Sequence, residues 1–415
     1  MLGPLSFPFH HIPSFTPRFL SSLTVVLILF AFPTPAAAQV VVEDHLVQYT
    51  FGERIVFTAT FSTQERIEDV VILFGSENDH HTEPVHATVQ GNQARYEYPL
   101  QGSSLRPFGR INYRFRVTLQ GGSTFTSPVY SFFYEDNRFN WQTLEEGAFR
   151  AHWYQGDVAT AQAALDVAQE GLGEAQSILP TLPNPQHTID TYIYANAGDM
   201  QSAIGPVGEN WVAGHADPDL GVIVVALPPG PEQQLLIEQR IPHELMHILL
   251  YEAYGANYSR LPTWLSEGLA SITELYPNPD YQVLLNDAFS RNSLIPIASL
   301  CGTFPRDASN ALLAYAESTS FVRYLHNTYG STGLGGLVDA YANGLSCERG
   351  PQVALMHSLS QLERGWRQAA FSEDPSLVAV GNLLPWFTVM LAALGAPLAI
   401  AFLRLFHRPV EEVVG

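Results

Sequence analysis

The chain has 415 residues, 20 basic against 40 acidic side chains, and a formal net charge of −20. Hydrophobic residues make up 46% and charged residues 14%, which excludes a disordered, highly charged chain and leaves material for two or three packed domains. Every basic residue is Arg and none cluster, which argues against a nucleic-acid partner; 2 Cys build neither a disulfide scaffold nor a Cys-ligated zinc site.

Residues 1–38 read as a signal peptide. Arg18 supplies the positive charge, Phe19–Phe32 the apolar stretch, and Ala36-Ala37-Ala38 a small-residue cleavage site before Gln39. Residues 40–135 then alternate in the strand manner between turn residues. Ile55–Phe61, Val70–Phe74, His86–Val89, Ala94–Tyr98, Ile111–Leu119 and Phe125–Tyr134 are the strand candidates, and their spacing predicts an immunoglobulin- or fibronectin-like β-sandwich. No cluster of catalytic side chains falls there, so a binding or spacing role is expected of it.

The polar-aromatic connector Glu135–Trp141 marks a boundary, after which residues 142–375 predict a mixed α+β domain. Ala148–Tyr154, Thr188–Ala195 and Gly221–Leu227 read as strands, and Asp157–Ile178 as an Ala-rich helix with an acidic N-cap. From Glu232 onward helical periodicity dominates. Residues 383–403 hold no ionisable side chain, enough to cross a bilayer as one helix, and Arg404, His407 and Arg408 place the tail 404–415 in the cytoplasm. Signal and anchor together predict a single-pass cell-membrane protein with its domains on the extracytoplasmic side. There Cys301 and Cys347 form a disulfide or remain two buried thiols, alternatives that the sequence leaves open.

The chemistry lies in Ile241–Leu250, where His243, Glu244 and His247 form an H-E-x-x-H pattern. Four residues is just over one helical turn, so both imidazoles leave one face and can hold one metal ion; the plainer alternative is a solvated or capped histidine pair on an ordinary helix. Glu244, about 100° round the helix, can lie beside the ion and take a proton from its water as general base. Chance gives roughly 0.03 such patterns in a chain of this composition. A catalytic zinc needs a third ligand and an open position. The metzincin extension fails because Leu250 and Ala253 stand where Gly and His are required. Downstream, Pro262–Ser271 carries Glu267, beyond a turn at 254–259 that lets a second helix fold back.

HELMH followed by PTWLSEGLA resembles the gluzincin zinc metallopeptidases, closest to the peptidase MA-like families with H-E-x-x-H and then W-L-x-E-G-x-A. The resemblance spans roughly residues 146–370. It implies a zincin-like catalytic domain with one Zn2+ on His243, His247 and Glu267, and Glu244 as general base. It further implies a peptide or protein substrate, paired along Gly221–Leu227 as a sheet edge with Trp211–Gly214 leading into it. Ala314–Leu325 resembles the helix that follows the site, with Tyr315 as oxyanion donor or, in the plainer reading, a packed core tyrosine. Two departures stand out. Pro242 predicts a kinked or restarted helix just before His243. Ser271 occupies the position where many relatives carry an acid that orients a ligand histidine, so the support behind that ring is either weaker, at a cost in metal affinity, or supplied by another group such as Glu274 or Asp287. The expected activity is peptide-bond hydrolysis; a catalytically silent adhesion protein and a zinc hydrolase of a non-peptide amide or ester are the alternatives.

Overall fold

The computed structural model describes residues 40–77, 82–204 and 214–371, with Leu383, Trp386 and Met390 beyond them. The expected signal segment, the tail, nearly all of 383–403 and Trp211–Ala213 lie outside the described residues. Among the described residues no helix is long and apolar enough to cross a membrane.

The N-terminal region is an all-β sandwich. Its strands are β1 (Val41–Thr50), β2 (Arg54–Ser62), β3 (Ile67–Ser76), β4 (Glu83–His86), β5 (Thr88–Gln90), β6 (Gln93–Pro99), β7 (Gly109–Leu119), β8 (Thr124–Thr126) and β9 (Tyr130–Tyr134). They form two sheets, β1-β2-β6-β5 and β4-β3-β7-β8, with β9 also on β7. Alternation builds the core: β2 buries Ile55, Phe57, Ala59 and Phe61, and β7 buries Ile111, Tyr113, Phe115, Val117 and Leu119. Facing rings meet between the sheets, Phe57 and Phe74 at 5.1 Å and Phe61 and Phe115 at 5.7 Å between centroids.

Two expected strands prove to be pairs. His86–Val89 is interrupted because the chain leaves β3 and joins β6 on the other sheet, turning at Ala87. Phe125–Tyr134 is interrupted at Ser127-Pro128, since proline donates no ladder hydrogen bond, and both halves pair with β7.

A mixed domain follows, opening with β10 (Gln142–Glu146), β11 (Phe149–Trp153), α1 (Val158–Ile178), β12 (Ile189–Tyr194), α2 (Ala197–Ile204), β13 (Gly214–Asp217) and β14 (Val222–Ala226). Asp157 caps α1, its carboxylate accepting the Ala159 N–H at 3.1 Å. The sheet order is β10-β11-β12-β14-β13, parallel from β11 through β14, with both outer strands antiparallel. Gly221–Leu227 is therefore not the edge: β14 lies between β12 and β13, and among the described residues the edge strands are β10 and β13. Val222–Ala226 is apolar without alternation and buried at every position, the pattern of a strand covered on both faces. Ile189, Ile193, Ile223 and Val225 face the helices, while Tyr192, Tyr194, Val222 and Val224 face the sandwich. The sandwich is thus packed on the back of the sheet, with Phe108 against Tyr192 at 4.2 Å and Arg106 ion-paired to Asp217 and Asp219.

Helices complete the domain: α3 (Gln233–Tyr254), a 3-10 turn Gly255–Arg260, α4 (Thr263–Ile272), α5 (Asp280–Ser290), a 3-10 turn Ile297–Leu300, α6 (Ala308–Ala342), α7 (Arg349–Ala354) and α8 (Leu359–Phe371). α6 is broken at Gly330, whose φ of 66° is open to glycine. Cys301 and Cys347 form a disulfide with Cα atoms 6.1 Å apart, which resolves the alternative left open by the sequence.

Candidate functional site

α3 carries His243, Glu244 and His247, and it runs through Pro242 without restarting. The missing N–H of Pro242 frees the carbonyl of Glu238, which instead accepts the Leu275 N–H at 3.0 Å. Thr273 Oγ1 also donates to Pro242 O at 3.3 Å. The proline therefore anchors the loop after α4, and that loop presents Glu274. On the other side Gly171 of α1 meets Pro242, where an added Cβ would come within 3.0 Å of the ring.

α4 brings in the third ligand candidate. Gly268 lets this helix lie against α6, since a Cβ there would stand 2.6 Å from Ser318 O. Its neighbour Glu267 then faces α3: Glu267 Oε2 lies 3.4 Å from His243 Nε2 and 3.7 Å from His247 Nε2. One donor atom from each of the three residues falls within 4.8 Å of the others. In a tetrahedral site with bonds of about 2.0–2.1 Å, neighbouring donors stand about 3.3 Å apart, so the set fits one ion. Two imidazoles and one carboxylate form a nitrogen-rich set suited to zinc or a similar first-row ion rather than calcium or magnesium.

The far nitrogens of both rings are held. His243 Nδ1 is 3.1 Å from Glu274 Oε1, and His247 Nδ1 is 2.8 Å from Tyr258 Oη on the 3-10 turn. Such contacts fix ring orientation and direct Nε2 to the shared point. Of the two candidates for the orienting acid, Glu274 takes the position, whereas Asp287 pairs with Arg291 at 2.8 Å on the surface. Burial would lower the His243 pKa, but Glu267 and Glu274 outweigh it and hold the imidazole well above its ordinary value. Glu267 shows the converse: burial pushes it up, yet His247 and His243 pull it far below the usual carboxylate range.

Glu244 is buried beside this cluster and next to β13, where a Cβ on Gly214 would come within 2.5 Å of its Oε1. Any larger residue at 214 would displace the carboxylate. A cleft of about 240 Å³ opens over Glu244, His243, Arg240, Glu274, Tyr281 and Tyr315. Tyr315 does reach the site, its ring centroid 6.3 Å from that of His243. Burial, with the charges of Glu267 and Glu244, raises its pKa well above the ordinary value and keeps the hydroxyl protonated.

The structure thus brings together all five residues singled out in the sequence: His243, Glu244, His247, Glu267 and Tyr315. Tyr258 and Arg240 escaped that reading, and Gly214 entered it only as the approach to a substrate strand, not as the residue that Glu244 packs against. Tyr258 and Gly214 arrive from the turn and the strand flanking α3, with no periodicity to mark them. Arg240 did carry a signal, standing three residues before His243 on one helix.

Residues 168–372 match the family model of the Peptidase MA superfamily, a stretch that contains all five of these positions. No curated protein matches the chain. Among solved structures, OgpA from Akkermansia muciniphila is 9% identical over 23% of this chain and 28% of its own, with a TM-score of 0.20. The cycloalternan-degrading enzyme from Trueperella pyogenes is 17% identical over 26% of this chain and 13% of its own, with a TM-score of 0.18. The third fibronectin III domain of human KIAA0343 protein is 18% identical over 23% of this chain and 82% of its own, with a TM-score of 0.17. Likenesses this slight carry no conclusion to this chain.

Proposed function

We propose that residues 142–371 form a zinc-dependent metallopeptidase of gluzincin type, in which His243, His247 and Glu267 hold the metal and Glu244 is the general base. The observation that carries this reading is the convergence of the two Nε2 atoms and the Glu267 carboxylate on one point, with a second carboxylate, Glu244, close by but outside the set. The Peptidase MA superfamily match over 168–372 supports it. A bound zinc ion would supply Lewis acidity, polarising a carbonyl and bringing a water molecule within reach of a carboxylate base at neutral pH.

The chain's own residues do the rest. Glu244, held in place by the close approach of Gly214, accepts a proton from the attacking water and returns it to the leaving amine. Tyr315, kept protonated, donates its hydroxyl to charge developing on the carbonyl oxygen. Glu274 and Tyr258 keep the two imidazoles in the required tautomer and orientation. The edge strand β13 offers backbone groups for pairing with an extended peptide, which binds main chain without selecting sequence.

The setting rests on the sequence: the signal pattern of 1–38 and the apolar run 383–403 support a single-pass membrane protein with the catalytic domain outside the cytoplasm. The decisive experiment is metal analysis and peptide hydrolysis on the purified protein and its Glu244→Gln variant. The wild type should hold about one zinc per chain, and the variant should keep the metal while losing at least about a hundredfold in turnover. Unchanged cleavage by the variant would refute the mechanism; bound zinc with no hydrolysis of any peptide would favour a binding role.

A further inference from the structure

The cleft beside the metal-ligand candidates is lined by an arginine that the proposed chemistry does not employ. Arg240 precedes His243 by three residues on α3, a helix rise of about 4.5 Å. It lines the cleft with Gly214, His243, Glu244 and Tyr315. One guanidinium N–H is donated to Ala226 O, tying the side chain to the end of β14. Other part-buried arginines of this chain, Arg106, Arg138, Arg150 and Arg367, each touch a carboxylate directly. Among the described residues Arg240 does not; Glu244 acts on it through space, and burial pushes the guanidinium down.

A half-buried cation without a contacting anion is costly, and a guanidinium fixed at one end presents its remaining donors to a carboxylate in two-point geometry. An extended peptide advances about 3.3 Å per residue, so a group reaching Arg240 sits close to the bond being cut. We propose that Arg240 binds a carboxylate of the peptide substrate within one or two residues of the scissile bond, making this cleft selective for acidic peptides. The inference rests on the peptidase reading above. The same chemistry has two sources, an Asp or Glu side chain within the substrate or the free carboxylate at its C-terminus.

The test uses the zinc-loaded full chain and a mixed peptide pool, with cleavage sites read by mass spectrometry. Matched substrates are then built on a cleaved sequence: Glu against Gln at the positions flanking the bond, and free acid against amide at the C-terminus. The wild type should favour the acidic member of one pair by at least about tenfold in kcat/KM, expressed chiefly in KM. Arg240→Gln should erase that preference by weakening the acidic member alone, and Arg240→Lys should keep part of it. Preference in the side-chain pair identifies an internal acid, and preference in the acid–amide pair identifies the terminal carboxylate. No preference in the wild type, or an equal loss on both members with Arg240→Gln, overturns the proposal while the peptidase reading stands. The wild-type comparison decides the matter even if Arg240→Gln fails to fold. Zinc bound with no peptide of the pool cleaved overturns both.

Discussion

Two buried polar clusters sit on opposite faces of the sheet β10–β14, and they are closed in opposite ways. On the sandwich side, Asp136 is fully buried and accepts the Tyr194 hydroxyl at 2.8 Å and the Arg138 fork at 2.6 and 2.8 Å. Arg138 in turn donates to Ser202 at 2.8 Å and lies over the Phe51 and Phe139 rings. Charge, donors and acceptors balance within the cluster. On the helix side, three donor atoms from His243, His247 and Glu267 face one another, and the partners Glu274 and Tyr258 engage only the outer nitrogens. The difference separates a joint from a site. A self-satisfied cluster fixes two layers together, whereas donors aimed at one another and braced from behind are arranged for an ion.

Removing one carboxylate from each cluster breaks the comparison most sharply. Glu267→Ala should abolish stoichiometric zinc binding, read by metal analysis, and reduce hydrolysis to background; retained metal would show that the third ligand is misassigned. Asp136→Ala should leave zinc stoichiometry intact and instead cost roughly 2–4 kcal/mol in denaturant unfolding, since Arg138 loses its counter-ion while remaining partly solvated. A metal loss there comparable to that of Glu267→Ala would erase the distinction.

The bracing groups sharpen it. Glu274→Gln should weaken zinc affinity about 10- to 100-fold in a competition titration, with Tyr258→Phe at the lower end of that range. No change in either would mean that the rings are held by helix packing alone.

A separate, pH-dependent effect concerns a third buried carboxylate. Glu317 is fully buried on α6; one oxygen accepts the Ile295 N–H at 2.8 Å, and the other has no hydrogen-bond partner among the described residues. Burial pushes its pKa up to about 8, against the pull of the Ile295 N–H and of Arg367, with Glu363 adding to the rise. The folded state therefore keeps a proton that the unfolded chain releases near pH 4.3. Stability contributed by that proton is complete below this value and is lost as pH climbs towards about 8. Glu317→Gln should flatten this slope, by a few kcal/mol at most across the window, in unfolding midpoints measured from pH 5 to 8. An identical slope in both proteins would place the titration elsewhere.

Local pattern made much of this legible. Period-two burial announced β2, β6 and β7, and an acidic cap announced α1. The i, i+4 histidines required only a helix to share a face. Glu267 lay further off and was reached through a resemblance of motif, not through spacing. Gly221–Leu227 was misread as an edge although its unbroken apolar run already indicated burial on both faces. Pro242 suggested a restarted helix because the sequence does not show that Leu275 would take up the carbonyl it frees.

The sequence by itself determined that His243, Glu244 and His247 share one helix and that both imidazoles leave the same face of it, because that spacing repeats over a few residues of backbone. Only the tertiary structure decided that Glu274 rather than Asp287 braces His243, that Tyr258 braces His247, that β13 rather than β14 is an outer strand among the described residues, and that Cys301 meets Cys347. It also decided that the sandwich docks on the sheet through Arg106 and the Asp136–Arg138 joint. Each of these is a contact between segments distant in the chain, set by how layers pack and by where a displaced hydrogen-bonding group finds its partner. Local periodicity carries no information about such meetings.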